Sequence, residues 1–460
     1  MAAPSHAPAS LPARIPAAAL RALGAVRLAG AIVIAGLAGV SGIAAAPLPG
    51  PDTSHVHLEI GPGMDLTNEL YYQDAYVDTT FLRRQLVATP ETRFAGVWLG
   101  ALQGTRGERS TSYLLQNELS LGDLIQRDAL ALAWRQEVAS GWRLLLDPAV
   151  AWRHDRTFDR NDQEWHEGMR ARLRRTLDDD ATSIEGGVTG DLLRTTGPGS
   201  QFVLDRNSLG ALLALDRLPL FGDEWRLAWG VTDRVFPDSS ERNHDEYAWE
   251  GRWRHGFGGG HALLFETAGQ RRLTHHIVTT SRDNFWSESG ALETDARLSD
   301  RWSLRLRVEG DALQYDLEDS TLFFDYRIAR ARLGARFERE ARWSITAGPR
   351  AEALSSPLAP GESYREIGGE VELEVLGGRS WWNVTPAGGY RAYDQTAQVG
   401  LPGALHSSFA YASLEAFVDQ ALPGRLRLRA LTSLRYESHL DPSQNAASIY
   451  LSLQLRETLR

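Results

Sequence analysis

Residues 301–317, RWSLRLRVEGDALQYDL, decide how the chain folds. Apolar residues at positions 304, 306 and 308 alternate with Arg305 and Arg307, and Trp302 opens the segment. Successive side chains of a β-strand point to opposite faces of its sheet. This period of two therefore predicts a strand with one apolar face and one charged face.

The same alternation recurs along the chain. Val371, Leu373 and Val375 alternate with glutamates, and the apolar residues of 424–437 alternate with arginines. Between residues 65 and 460 we predict about 20 such strands, within a range of roughly 18 to 22. The chain is thus predicted to be all-β, a closed antiparallel transmembrane β-barrel with an even number of strands.

The connections between these strands alternate between short and long. Gly258–Gly260 and Leu422–Gly424 are short, and their glycines supply the positive φ that tight hairpins need. The longer connections, such as 155–164 and 236–244, are polar. In a bacterial barrel the short turns are periplasmic and the long loops extracellular.

Tryptophan recurs at one position of this pattern. Segments that follow a short connection open on Trp142, Trp225, Trp302, Trp343 and the pair Trp381–Trp382. Amphipathic indole rings collect at membrane interfaces. The pattern predicts that Trp142, Trp225, Trp302, Trp343 and Trp381 face outward at one height. A large soluble all-β protein is the alternative, but it would not need this rhythm.

Composition excludes several classes of function. The 460 residues contain no cysteine, which removes disulfides, thiolate metal sites and cysteine catalysis. The net charge of −10 has the wrong sign for a nucleic-acid-binding protein. The hydrophobic content of 43% is compatible with a membrane barrel, whose walls are apolar only at alternate positions.

The N-terminal residues are expected to direct export. Arg14, Arg21 and Arg27 precede the apolar run LAGAIVIAGLAGVSGIA, which ends in small residues before Pro47. This arrangement is typical of a secretory signal peptide over residues 1–46. Residues 47–64 are then a short periplasmic segment and 65–460 the barrel. We expect too little chain before the barrel for a plug domain, and we expect 78–90 to be the irregular stretch that can enter the lumen.

In architecture the chain resembles bacterial outer-membrane β-barrel proteins, porin-like ones in particular. The resemblance covers about residues 65–460 and rests on these strand, turn and tryptophan patterns. It implies a location in the outer membrane, contact with outer-membrane lipid and insertion by the barrel assembly machinery. Such barrels usually end in an aromatic residue; here the last residue is Arg460, and Tyr450 and Leu455 are the nearest candidates for that signal.

Arginines on the lumen side of the strands are the candidate solute-binding residues. They are Arg170, Arg172, Arg174, Arg305, Arg307, Arg427 and Arg429. A ring of guanidinium groups in a narrow wet pore favours anions. Cross-strand pairs with carboxylates such as those of Glu370, Glu372 and Glu374 are the alternative, because they would neutralise the arginines and stiffen the wall.

No other motif points to chemistry. His55, His57 and the pair His275–His276 lack a third ligand at a defined spacing, so we predict no metal and no cofactor. No nucleophile elbow or HExxH motif is present, and we predict no catalytic residue.

We therefore expect an outer-membrane channel for passive diffusion of small hydrophilic solutes, with a bias towards anionic ones. Barrels of this size leave an aqueous channel. One alternative is an export barrel for an anionic polymer that works with periplasmic partners. The other is a plugged structural or enzymatic barrel.

Overall fold

The computed structural model describes most of the chain after its N-terminal segment. The described residues are 53–77, 80–106, 111–122, 125–156, 161–177, 181–197, 205–219, 222–275, 284–317, 324–340, 342–395 and 406–459. They fall in a unit that runs from Asp52 to Arg460, distinct from Met1–Pro51. The predicted signal peptide, residues 1–46, lies outside the described residues.

The described residues form twenty β-strands. These are β1 (Thr53–Val77), β2 (Thr80–Arg106), β3 (Thr111–Gly122), β4 (Ile125–Ala139), β5 (Trp142–Asp155), β6 (Asp162–Thr176), β7 (Thr182–Thr196), β8 (Arg206–Arg217), β9 (Glu224–Val235), β10 (His244–Gly258), β11 (His261–Thr274), β12 (Phe285–Arg297), β13 (Trp302–Tyr315), β14 (Tyr326–Arg339), β15 (Trp343–Ser355), β16 (Tyr364–Gly377), β17 (Ser380–Tyr393), β18 (Phe409–Ala421), β19 (Leu426–His439) and β20 (Ala446–Leu459). The connections between these strands contain three short 3-10 helices, which are Ser240–Arg242, Pro360–Glu362 and Pro442–Gln444. Within the described part of the chain, no helix has the length and apolar character needed to cross a membrane.

The strands form one antiparallel sheet in chain order. Each strand pairs with the next, and β1 also pairs with β20 between Leu58↔Leu459 and Tyr71↔Ala446. Odd-numbered strands begin at the end of the sheet where the short connections 140–141, 259–260 and 378–379 lie, which we call the turn end. The opposite end, with the longer connections, we call the loop end. The prediction of an all-β antiparallel fold is confirmed. Short and long connections alternate from β4 onward, whereas at the loop end only two residues separate β1 from β2 and β3 from β4.

The two faces of the sheet differ in chemistry. On one face, large apolar side chains are exposed, among them Val188, Leu209 and Ile367, the last two with 69% of their surface accessible. An exposed apolar surface of this extent is typical of a membrane-contacting wall and not of a soluble protein. The opposite face carries the charged pairs that cross between strands, such as Arg305–Asp295 and Arg429–Asp419. We call these the apolar face and the polar face.

The first two strands are longer than predicted. β1 begins at Thr53 and not at residue 65, so it includes much of the segment assigned to 47–64. The expectation that 78–90 is irregular is also wrong, because Thr80–Pro90 belongs to β2. The two strands pair with each other along their whole length, and this pairing outweighs the local preference of proline and glycine for turns. The ladder to β20 omits Gly61 and Pro62, in keeping with the missing N–H of proline.

Candidate functional site

The predicted arginines of β13 lie on the polar face and are paired with carboxylates. Arg305 donates to Asp295 at 2.9 Å, and its Nε also lies 3.5 Å from Glu293. Arg307 contacts Glu293 at 3.0 Å and Glu309 at 2.5 Å. The pairs with Asp295 and Glu293 run between β12 and β13, and the pair with Glu309 lies along β13. Together they neutralise much of the positive charge of the two arginines.

The predicted arginines of β19 share one carboxylate. Arg427 and Arg429 both contact Asp419 of β18, Arg429 at 3.1 Å. Asp419 is buried, whereas the two guanidinium groups are partly exposed. The alternative that the sequence left open, cross-strand pairing, is therefore realised at this position as well.

The predicted arginines of β6 lie in a third group of strands, away from β13 and β19. Arg172 contacts Asp147 at 2.5 Å and Glu185 at 3.0 Å, and Arg174 lies 4.0 Å from Asp216. Arg170 is exposed. The seven predicted arginines thus share the polar face but fall on three separate groups of strands, so the structure does not bring them together as one site.

Around β6 the charges surround open space, in a group that we call the open cluster: Arg135, Asp147, Arg172 and Glu185. Asp147 accepts from Arg135 at 2.6 Å and from Arg172 at 2.5 Å. All four residues line a cavity of about 1220 Å³. A second cavity of about 540 Å³ shares some of its lining residues, including Arg226 and Asp311. The cavity wall carries charges of both signs at close spacing.

Near the loop end, the polar face carries a denser group, which we call the packed cluster: Arg350, Glu352, Tyr364, Glu366, Arg391 and Tyr411. Glu366 accepts from Arg350 at 2.8 Å, from Arg391 at 2.8 Å and from the Tyr411 hydroxyl at 2.7 Å. Only 3% of the Glu366 side chain is exposed. Tyr364 donates to Glu352 at 2.5 Å, and the Arg391 guanidinium lies 4.0 Å from the centre of the Tyr364 ring. The charges of this group are all paired and largely shielded from water.

Glycines explain how the packed cluster closes. A Cβ added at Gly389 would lie 2.7 Å from the Tyr411 hydroxyl and 2.7 Å from the Ile367 carbonyl oxygen. One added at Gly368 would lie 3.0 Å from the same hydroxyl and 2.5 Å from the Gly388 carbonyl oxygen. Tyr411 therefore occupies the space above the backbone of two neighbouring strands, where a side chain at either glycine would stand. Glycine in a strand interior often marks such a close approach, and the pairs Gly368–Gly369 and Gly388–Gly389 were the signal that the sequence analysis missed.

Four of the five predicted interface tryptophans share one face of the sheet at the turn end. Trp142, Trp225, Trp302 and Trp343 stand at the first or second position of strands that leave the turn end. Their register places them on the apolar face; Trp302, for example, pairs with Phe337, and the ring centroids are 5.0 Å apart.

The fifth tryptophan faces the other way, and its predicted orientation is wrong. Trp381 pairs across the ladder with Asp419, and its ring lies 4.8 Å from that of Phe417, so it lies on the polar face. Trp382, its neighbour, pairs with Val375 and Val418 and takes the expected place on the apolar face. In a tryptophan pair the alternation sends one ring to each face, and the prediction assigned the apolar face to the wrong member of the pair.

The loop end carries charged and histidine side chains at and just beyond the ends of the strands. Asp316, just after β13, accepts hydrogen bonds of 2.8 and 2.7 Å from Arg271, and these bonds hold the pKa of its carboxyl below the usual value. The His439 ring lies 2.9 Å from the carbonyl oxygen of Ser407, whose hydroxyl accepts from the Asp441 N–H at 2.8 Å. This serine hydroxyl thus satisfies the backbone of a loop. Of the pair His275–His276, only His275 is described.

Comparison with known proteins identifies the fold. No family profile matches the sequence, and no curated protein matches it. Solved structures do match. The FrpB iron transporter from Neisseria meningitidis is 8% identical with a TM-score of 0.55, over 87% of this chain and 81% of that chain. The siderophore receptor PirA from Pseudomonas aeruginosa is 11% identical with a TM-score of 0.51, over 88% and 80%.

A third match is the alcaligin outer-membrane receptor FauA from Bordetella pertussis. It is 11% identical with a TM-score of 0.50, over 86% of this chain and 76% of that chain. At such low identities the likeness is one of fold. The chain has the fold of bacterial outer-membrane β-barrel proteins, as the sequence resemblance implied.

Proposed function

We propose that the chain is a closed β-barrel of the bacterial outer membrane that lets small hydrophilic solutes diffuse passively through its lumen. In this proposal the apolar face contacts outer-membrane lipid, the polar face lines the lumen and the turn end is periplasmic. The barrel assembly machinery inserts it after residues 1–46 have directed export. The role is one of transport and not of catalysis.

One observation carries the proposal: the cavity of about 1220 Å³ on the polar face, bordered by the open cluster. Its wall offers both guanidinium and carboxylate groups, which are suited to hydrated polar solutes of either charge. The pairing of β1 with β20 supports closure. Barrels of 16–18 strands already leave an aqueous channel, so a ring of twenty leaves at least as much room.

The wall chemistry supports a weak preference for anions over cations. Arg305, Arg307, Arg427 and Arg429 stay partly exposed, yet each is next to a carboxylate. Rings of unpaired arginine select anions strongly. Here the paired carboxylates reduce the local potential, and a continuous arginine track of the kind that an anionic polymer would need is interrupted by acids.

Planar lipid bilayers test the proposal. The purified protein should give steady conductance, and a salt gradient should give a small reversal potential of the sign expected for anion preference. That potential should shrink as salt approaches 1 M, where the screening length is about 3 Å. A wild-type protein that conducts nothing would contradict the channel.

Substitution of glutamine for Arg305, Arg307, Arg427 and Arg429 together should shift the preference towards cations. The matched control replaces Arg175 and Arg365, whose register places them on the apolar face. If the control shifts the reversal potential as much as the four polar-face substitutions do, the assignment of the polar face to the lumen is wrong.

A further inference from the structure

Three side chains at the loop end form a group that the transport proposal does not use. Asp233 lies near the end of β9, Asp245 near the start of β10, and His275 directly follows β11. Asp233 and Asp245 stand directly opposite each other in the β9–β10 ladder. Like charges in that position repel each other and destabilise a sheet unless something compensates them.

The histidine is placed between the two carboxylates. Its Nε2 atom lies 3.4 Å from Asp233 Oδ1 and 3.4 Å from Asp245 Oδ1. The His275 backbone is fixed nearby, because its N–H donates to the Asn243 carbonyl oxygen at 2.8 Å. The position of the ring is therefore set by the end of the sheet.

These spacings are those of ligands that share a metal ion. A good N–H···O hydrogen bond spans about 2.7 to 3.2 Å, and a single proton on Nε2 can point at only one of the two oxygens. In tetrahedral coordination with bonds of about 2.1 Å, neighbouring ligand atoms lie about 3.4 Å apart. All three ligand atoms lie within 4.8 Å of one another.

One of the three ligand atoms also lacks a hydrogen-bond partner. Asp233 Oδ1 is shielded from solvent and has no hydrogen-bond donor, although 49% of the whole side chain is exposed. A shielded carboxylate oxygen without a donor costs free energy. A cation held between the three ligand atoms would remove both this cost and the repulsion between the aspartates.

We propose that Asp233, Asp245 and His275 bind a divalent transition-metal ion of the Zn²⁺ type, with the remaining coordination position open to water. An imidazole nitrogen with two carboxylate oxygens suits Zn²⁺. Mg²⁺ and Ca²⁺ prefer sites made of oxygen alone. The site lies at the loop end and is independent of the proposed permeation path, so it stands whether or not the barrel conducts.

The test measures metal bound to the full chain, without a histidine tag, after equilibrium dialysis in detergent against ZnCl₂. We expect about one Zn²⁺ per chain, the number that a single three-ligand site holds. His275→Ala, Asp233→Asn and Asp245→Asn should each weaken Zn²⁺ binding about tenfold or more. His255→Ala is the matched control, because that ring contacts Asp223 close to the turn end, and it should bind Zn²⁺ as the wild type does.

Three results would overturn the proposal: wild-type protein that retains no Zn²⁺, ligand variants that bind it as tightly as the wild type, or displacement of Zn²⁺ by millimolar Mg²⁺. Each variant is first checked for folding by its heat-dependent mobility in gels. If one ligand variant does not fold, the other two still decide the question.

Discussion

The open cluster and the packed cluster both hold a carboxylate between two arginines on the same face of the sheet, yet these two central carboxylates differ in their access to water. Asp147 lies between Arg135 and Arg172, just as Glu366 lies between Arg350 and Arg391. Asp147 lines a cavity and keeps 22% of its side chain exposed, whereas Glu366 keeps 3%. The difference comes from the tyrosine that packs over Gly368 and Gly389 and shields Glu366 from water. It does not come from the charges, which are of the same types in both clusters.

The largest expected effect comes from the two central carboxylates. Glu366→Gln should lower the free energy of unfolding by about 3 kcal/mol, because removal of one partner from a buried ion pair leaves the others uncompensated. Asp147→Asn should cost only about 1 kcal/mol, since water and Glu185 can compensate Arg172. Urea unfolding in lipid vesicles measures both. Equal losses would remove the distinction between the clusters.

Glycine substitutions sharpen the same comparison. Gly389→Ala should destabilise the protein by about 2 kcal/mol, because the new methyl group overlaps the Tyr411 hydroxyl and a backbone carbonyl. Gly168→Ala, at the cavity, places its methyl group in open space and should change stability by less than about 0.5 kcal/mol. A harmless Gly389→Ala would mean that Tyr411 moves away without cost.

Substitutions in the open cluster should affect ion selectivity more than those in the packed cluster, which is the reverse of the order expected for stability. Asp147→Asn removes a negative charge from the cavity wall and should raise the ratio of anion to cation permeability, by less than about fivefold given the strength of a single charge in water. Glu366→Gln should leave that ratio nearly unchanged, because its charge is shielded. Reversal potentials in a salt gradient provide the measurement, and a larger shift for Glu366→Gln would place the packed cluster on the permeation path.

The smallest expected effect is a change in tryptophan fluorescence, which can be measured without any change in stability. Brominated lipids quench indole fluorescence on contact, so Trp302→Phe should remove part of the quenchable emission. Trp381→Phe should remove emission that lipid does not quench, because Trp381 lies on the polar face. Loss of quenchable emission in Trp381→Phe would show that the register of β17 is shifted by one residue.

Much of this fold follows from local patterns in the sequence. Alternation in 301–317 fixes which side chains share a face, and glycine turns fix where strands reverse. β1 and β2 were misjudged because their length depends on pairing with each other, which overrides the local signals of Pro62 and Pro90.

The candidate site was harder to predict than the sheet. The face of each arginine followed from alternation, but its partner did not, because cross-strand neighbours depend on the register between strands. The packed cluster joins residues of β15, β16, β17 and β18, and no single segment carries its signature. The group of Asp233, Asp245 and His275 likewise exists only once three strands are aligned.

The pairing of β1 with β20 has a consequence for the order of folding. Every other pairing joins strands that follow each other in the chain, whereas Leu66 and Leu451 meet across about 385 residues. Closing so long a loop costs about 4 kcal/mol more chain entropy than closing a short hairpin. We expect the hairpins to form one after another and the seam between β1 and β20 to close last, so that one edge of the first strand stays unpaired until the final strand has been synthesised.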